Sequence, residues 1–435
     1  VSKHPHHSSP ARRAGEQIIK TLIDKGHTAY FAGGCVRDEL LGLTPTDYDV
    51  ATDATPDRIC SLFPRTAEVG AAFGVVLVKT GPEVTEVATF RSEGPYSDRR
   101  RPDSVTFSNP VEDARRRDYT VNALFLDPLL GAHPHASVEQ TPGVVVAPLG
   151  QHGRVIDFVG GMVDLERRVL RAVGDPDQRL AEDHLRALRA ARLAAKLGFH
   201  IDEGTAAAIR KHAAALQGVS RERIGEEIRR MAEHPSRAIA ARLIHELSLE
   251  PPVFMSSGPR LGPRTWPVLS ALPPEVGYAP ALGAWAMDMG LTKEEGSVTE
   301  LVRQWRAALT LSNEDRDLLR SILATLPVLE QQWPRLSVAK QKRLAAAPWF
   351  GEALALTRAA NPQLANEVES SVEVLAGTAG GLWPEPLLTG DDLLAAGLAP
   401  GPLFKRVLDE VLDAQLEGKV ATKGEALELA KRLGV

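Results

Sequence analysis

The stretch Gly33-Gly34-Cys35-Val36-Arg37-Asp38, followed closely by Asp47-Tyr48-Asp49, constrains this chain more than any other. The glycines follow an apolar run at 28–31 that reads as a strand, and residues 35–42 resume a helical pattern. Two glycines at a strand-to-helix turn let the backbone approach a phosphate closely, and the helix start supplies N–H donors and positive dipole. Arg37, one turn in, adds a charge-assisted fork to the same phosphates. Residues 47–51 read as a second strand, which puts Asp47 and Asp49 on one face. Two carboxylates so placed suit a hard divalent ion, above all Mg²⁺ shared with substrate phosphates. Taken singly, a Gly-Gly pair is a turn and such acids are solvated. In this order and at this spacing they favour a phosphate and metal site.

The remaining patterns give an α+β chain. Residues 12–27 read as a helix with Ala14, Ile18, Ile19, Leu22 and Ile23 on one stripe. Residues 55–62 read as a helix with Thr55 as N-cap and Pro56 at its first position. Residues 75–79, 84–90 and 155–158 read as strands, and 128–153, rich in Pro, Gly, His and Val, as an insertion loop. After residue 175 strand signals largely stop. Residues 178–198, 204–216 and 221–232 are expected to be helical, and 236–375 a series of helices broken at 250–267 and 272–281. From Pro384 the pattern repeats helix, turn, helix, with a break at 397–402. No fixed-period repeat supports a solenoid.

Two further clusters carry charge. Glu86 lies on the strand before Phe90-Arg91, where it reads equally well as a third metal acid or as a surface acid. A polar loop at 92–103 holds Arg99-Arg100-Arg101. In Arg115-Arg116-Arg117-Asp118-Tyr119-Thr120-Val121-Asn122-Ala123, the apolar turn that follows would hold Arg117 and Asp118 against the domain, and a fixed arginine suits a triphosphate. Further on, Glu182-Asp183-His184-Leu185-Arg186-Ala187-Leu188-Arg189-Ala190-Ala191-Arg192 reads as one helix, buried through Leu185, Leu188 and Leu197. On it Asp183 and Arg186, one turn apart, offer acceptor and donor atoms to a base edge. The alternative is a surface ion pair worth a few tenths of a kcal/mol. On a straight helix Arg192 is out of phase with Asp183, and it is expected to reach phosphate or RNA from the flank.

Composition narrows the classes. The chain has 435 residues and a net charge of -5, which disfavours a generally basic nucleic-acid binder but allows local arginine patches. Aromatics are 5% of the residues, so aliphatic packing is expected to carry the core. No apolar run approaches the roughly 20 residues of a membrane span, so no membrane partner is expected. The first ten residues, His- and Ser-rich, lack the apolar centre of a secretory signal. Two cysteines, Cys35 and Cys60, exclude a disulfide framework and suit a reducing, cytoplasmic setting.

These residues resemble the class II tRNA nucleotidyltransferases, the CCA-adding enzymes, and their relatives the bacterial poly(A) polymerases, within the DNA polymerase β-like nucleotidyltransferase superfamily. The resemblance runs from about residue 28 to 232, apart from 128–153. It returns at Leu387-Leu388-Thr389-Gly390-Asp391-Asp392-Leu393, Pro400-Gly401-Pro402 and Ala414-Gln415-Leu416-Glu417-Gly418. It implies an α+β, seahorse-like molecule: an N-terminal extension and first helix (1–27), a mixed-sheet nucleotidyltransferase head (28–170), a helical neck (171–236), a helical body (237–380) and a helical tail that binds tRNA (381–435). It implies that Gly33, Gly34 and Arg37 bind nucleotide, that Asp47 and Asp49 are catalytic and hold Mg²⁺, and that Arg117 contacts nucleotide. It further implies that Asp183, Arg186, Arg189 and Arg192 form a protein template for CTP and ATP. Ser220-Arg221-Glu222-Arg223-Ile224 looks like the next family motif, supporting the neck. Cys35 stands where serine or alanine is commoner and should be tolerated as a small residue. The loop at 92–103, full length here, is implied to move when A is added.

The expected activity is template-independent addition of nucleotides of the 3′-terminal CCA to tRNA, from CTP and ATP, with pyrophosphate release. Whether the whole CCA or only the terminal A is added stays open at this point. Poly(A) polymerases carry a basic stretch between the metal motif and the next strand, where this chain reads Val69-Gly70-Ala71-Ala72-Phe73-Gly74-Val75. A non-catalytic tRNA-binding protein is the reading from another class, and the Asp47 and Asp49 pair argues against it. A monomer is expected.

Overall fold

The strand that precedes the two glycines lies inside an eight-stranded sheet, paired on one side with the strand that follows the two aspartates. The computed structural model describes residues 9–68, 74–94, 104–129, 141–256, 264–292, 297–378, 380–397 and 402–433. In chain order the first elements are α1 (Pro10–Asp24), β1 (Ala29–Ala32), α2 (Gly34–Leu40), β2 (Val50–Thr52), α3 (Pro56–Leu62), β3 (Thr66–Glu68), β4 (Val75–Thr80) and β5 (Glu83–Thr89). There follow β6 (Arg91–Glu93), β7 (Val105–Phe107), α4 (Pro110–Arg115), β8 (Phe125–Asp127), β9 (Val145–Pro148) and β10 (Arg154–Asp157). The sheet order is β3-β4-β5-β2-β1-β8-β10-β9. Its one parallel pairing, β2 with β5, makes it mixed.

All four residues of β1 are buried, as a strand covered on both faces requires. Tyr30, Phe90, Phe125 and Phe158 meet in one cluster, with Phe90 and Phe125 edge to face at 5.9 Å. These aromatics add to a core that is otherwise mainly aliphatic. α1 begins at Ser9, whose side chain accepts from the Arg12 amide, and buries Ala14, Ile18, Ile19 and Leu22.

Three local expectations are corrected. The strand expected over 47–51 is β2 alone, Val50–Thr52; the two aspartates lie on the approach to it, where the Asp49 carbonyl accepts from the Ala32 amide at 3.0 Å. The stretch at 128–153 is not all loop: its valine-rich Val144-Val145-Val146 run supplies β9, which pairs antiparallel with β10 at the sheet edge. The helix expected over 178–198 is broken. After α5 (Gly161–Glu166) come α6 (Pro176–Glu182) and α7 (Arg186–Leu197), with Asp183 extended between them at φ -145° and ψ 105°. The Asp183 carboxylate accepts from the Leu185 amide at 3.0 Å, a local side-chain turn that competes with helix continuation. α8 (Glu203–His212) and α9 (Arg221–Ala232) follow. Residues 95–103, most of the arginine-rich loop, and 69–73 lie outside the described residues.

The chain divides into two compact units, Val1–Glu227 with Leu243–Pro259, and Ile228–Arg242 with Arg260–Val435. The described residues of the second unit form helices and turns. Trp285 and Trp305 are fully buried there, and a side chain at Gly283 would meet Leu356 at 2.8 Å, so those helices pack closely. Near the chain end, Thr389 and Asp392 form a capping box over a cluster of Leu388, Leu393, Val407, Val411, Ala426 and Ala430. Among the described residues no helix is long and apolar enough to cross a membrane.

Candidate active site

A cleft of about 1020 Å³ in the first unit is lined by all ten residues expected from the sequence: Gly33, Gly34, Arg37, Asp47, Asp49, Arg117, Asp183, Arg186, Arg189 and Arg192. Its floor is the end of β1 and the turn into α2. Gly33 has φ 81° and ψ -128°, a conformation that side-chain-bearing residues avoid, and a Cβ there would come within 3.0 Å of Arg117 Nη1. Glycine at 33 therefore keeps both the turn and the open face beside Arg117. Cys35 is buried behind the turn, its thiol bonded to the Ala32 carbonyl, and burial pushes it up to about 12. Its side chain is small enough to be buried there.

The cations of this wall are fixed before any ligand arrives. Arg37 is 6% exposed; its Nε donates to Asp38 at 2.8 Å and its Nη1 to Asn122 Oδ1. Arg117 donates from Nε and Nη2 to Asp113 Oδ2 at 3.1 and 3.0 Å, and from Nη1 to the Asn122 carbonyl, with its guanidinium 5.1 Å from the Phe125 ring centre. Asp113 also holds Arg116. Burial alone would raise Asp113, but Arg117 and Arg116 outweigh it and keep its carboxyl below the ordinary value.

Opposite the arginines stand acids with no such compensation. Asp47 is exposed and Asp49 half-buried, and neither forms an ion pair among the described residues. Glu86, adjacent through the β2–β5 pairing, lines the same cleft. Burial first, then the Glu86 and Asp47 charges, push Asp49 up to about 7, against the opposing pull of Arg117. Partial desolvation and Asp47 likewise raise Glu86. Among the described residues no three His, Cys, Asp or Glu side chains gather closely enough to hold a metal by themselves.

The far wall is the α6–α7 break. Asp183 and Arg186 both face the cleft but do not pair with each other. Asp183 accepts from Arg223 at 2.6 Å, while Arg186 donates to Glu182 and to the Arg179 carbonyl. Arg189 forks onto Asp118 at 2.9 and 2.6 Å, and Arg192 donates to Glu227 at 2.6 Å. Arg192 reaches the same cleft as Asp183, contrary to the straight-helix expectation, because Asp183 sits in the break and is not bound to the phase of α7. Leu197 is only half-buried; Leu188, Ala191 and Ala194 fill the inner face instead. Burial opposes ionisation of Asp118, but Arg189 and Asn122 outweigh it and hold its carboxyl at about 2. Asn122 thus joins the walls, touching Arg37 on one side and Asp118 on the other. Asn122, Asp113, Glu182, Arg223 and Glu227 were not singled out from sequence as site residues. Their partners lie up to 85 positions away, although Asn122, Glu182 and Arg223 fall within stretches quoted from the sequence.

Known proteins resemble this chain in sequence and fold. Residues 29–171 match the family described as poly A polymerase head domain, and 198–256 the family described as probable RNA and SrmB-binding site of polymerase A. A CCA-adding enzyme of Limosilactobacillus fermentum is 33% identical over 97% of this chain and 96% of its own length. One from Geobacillus thermodenitrificans is 40% identical over 53% of this chain and 52% of its own. The crystal structure of the Bacillus stearothermophilus CCA-adding enzyme in complex with CTP superposes with a TM-score of 0.75 at 28% identity, covering 98% of each chain. The Thermotoga maritima CCA-adding enzyme complexed with tRNA shares the fold at a TM-score of 0.67 and 18% identity, covering 99% of this chain and 97% of its own. Identity sustained along nearly the whole length, with the head-domain match spanning the glycine turn, the aspartates and Arg117, places this chain in the CCA-adding enzyme family.

Proposed function

We propose that this chain is a template-independent tRNA nucleotidyltransferase that builds the complete 3′-terminal CCA from CTP and ATP, releasing pyrophosphate. The observation that carries the reading is the single cleft in which Asp47 and Asp49 face fixed arginines on one side and the α6–α7 break on the other. The names and near-full-length identity of the relatives support addition of all three nucleotides.

In this reading Gly33 and Gly34 leave room for the triphosphate, and Arg37 and Arg117 grip it in preset directions. Asp183 and Arg186 offer the acceptor and donor atoms that choose cytosine or adenine, with Arg189 and Arg192 on the same wall. Asp47 and Asp49 would hold Mg²⁺. The fit rests on the acids themselves: carboxylates crowded enough to push Asp49 to about 7 are relieved by a hard cation. When bound, Mg²⁺ supplies activation of the tRNA 3′-hydroxyl and neutralisation of the departing pyrophosphate. The cytoplasm is the proposed setting.

The test offers tRNAs ending before CCA, after C and after CC, with each nucleotide singly and with CTP plus ATP. Stepwise C, C and A incorporation is expected. A alone, only on the CC-ending tRNA, would mark an A-adding specialist. Long A tracts on unrelated RNA would mark a poly(A) polymerase, and no incorporation a binding protein.

A further inference from the structure

Between the two candidate metal acids stands Tyr48, turned the other way. It is 4% exposed, its ring packs edge to face on Phe31 at 5.1 Å, and its hydroxyl donates to Glu39 Oε1 at 2.7 Å. The same Glu39 oxygen accepts from Arg12 Nε at 2.8 Å. Arg12 is 3% exposed, lies 5.7 Å from the Phe31 ring centre, and also donates to Glu16 and to the His152 carbonyl. A tyrosine, a carboxylate and an arginine are thus buried in series behind the acids. They join α1 to α2 and to the segment that leads into β2.

That segment needs such an anchor. Residues 41–49 belong to no strand or helix, and Asp47 and Asp49 precede β2. Backbone bonds tie it at Leu43 to Asp38 and at Asp49 to Ala32. In an extended chain neighbouring side chains point to opposite sides, so fixing Tyr48 inward fixes Asp47 and Asp49 outward. A buried hydroxyl with one charged acceptor is a directional pin. Arg12, bonded to the same oxygen, holds that acceptor in place.

We propose that Arg12, Glu39 and Tyr48 form a positioning relay that sets the Asp47 and Asp49 carboxylates for the metal. The N-terminal helix, which lies outside the matched head domain at 29–171, thereby takes part in positioning the two acids. None of the three is a catalytic residue; each acts through the backbone of the metal segment. The metal role rests on the function proposed above.

The experiment uses the full chain with Tyr48→Phe, which keeps the ring and removes the pin, and the double variant Arg12→Met/Glu39→Gln, which removes both charges of the buried Arg12–Glu39 pair together. Mn²⁺ affinity is measured by electron paramagnetic resonance of the free ion, with Asp49→Ala as the non-binding control. In parallel, A addition to a CC-ending tRNA gives kcat, KM for ATP and the Mg²⁺ concentration for half-activity. Tyr48→Phe should weaken Mn²⁺ about fivefold, raise the Mg²⁺ requirement similarly and lower kcat about tenfold, with KM for ATP within about twofold. The double variant should move the same quantities in the same direction. Lowered melting temperatures with unchanged Mn²⁺ affinity and Mg²⁺ requirement in Tyr48→Phe would overturn the relay and leave a structural role. If the double variant does not fold, Tyr48→Phe alone decides. If the wild type adds no nucleotide, the functional reading fails, while the Mn²⁺ arm still judges the relay.

Discussion

The two walls of the cleft carry charge in opposite ways. On the α6–α7 wall the site charges are already spent on protein partners: Asp183 on Arg223, Arg186 on Glu182, Arg189 on Asp118, Arg192 on Glu227. On the sheet wall, Asp47 and Asp49 have no partner cation among the described residues, and their crowding with Glu86 raises Asp49 to about 7. Charge left uncompensated at the approach to a sheet strand marks where an ion belongs. Charge that is paired but turned toward a cleft marks groups that must exchange partners when a ligand arrives. On the proposed roles, base selection would require rearrangement of this paired wall, and metal binding would relieve the crowding that raises Asp49.

The largest expected effect tests the uncompensated wall. Asp47→Ala or Asp49→Ala should lower nucleotide addition about a thousandfold or more while leaving tRNA binding nearly intact. Initial rates and filter binding on the same preparations check it. Turnover near the wild type in either variant would mean that the crowded acids are not the metal site.

The paired wall should respond in selectivity. Asp183→Ala or Arg186→Ala should erode preference for CTP and ATP over GTP and UTP by about 1–3 kcal/mol, with smaller change in triphosphate affinity. Competition assays with mixed nucleotides read this directly. Full preference in both variants would leave these residues as framework, tied to Arg223 and Glu182.

A third test asks how much the pairing holds the first unit together. Asp118 sits at about 2, below the unfolded value of about 3.9, so its ion pair with Arg189 stabilises the fold above the unfolded value. That contribution is lost as the pH falls from about 4 through 2. Asp118→Asn should cost about 2 kcal/mol at pH 7 in urea unfolding, and the gap to wild type should close across that acid window. A gap independent of pH would mean the loss is steric.

What the sequence revealed, and what it hid, follows the range of the interactions. Gly33, Gly34 and Arg37 were legible because a strand, a turn and a helix start are set within a few residues. Asp47 and Asp49 were legible as a pair although their strand assignment was not, since their alternation survives in extended backbone. The break at Asp183 was missed because one side-chain bond to the Leu185 amide overrode a good helical pattern, and the misplaced face of Arg192 followed from it. β9 was hidden in a stretch whose Pro, Gly and His content spoke for loop. Arg12, Glu39 and Tyr48 could not be joined from sequence, because no periodicity links a buried arginine to a carboxylate 27 positions on.

The smallest expected effect concerns the one feature that departs from the pairing of the α6–α7 wall. Lys196, in the last turn of α7, lines the cleft, is exposed, and forms no ion pair among the described residues. A mobile ammonium on the rim of a wall of fixed arginines is suited to a phosphate that approaches from solvent, not to a base edge. The incoming tRNA end presents such phosphates. Lys196→Ala should therefore weaken tRNA binding only about twofold to threefold near physiological salt, lower the salt dependence of binding by about one unit of slope, and leave nucleotide choice unchanged. Binding isotherms across a series of salt concentrations measure the slope. If Lys196→Ala instead raised KM for ATP and CTP with the slope intact, the lysine would belong with Arg37 and Arg117 as a triphosphate ligand. The α6–α7 wall would then hold part of the nucleotide's phosphate charge as well as its base.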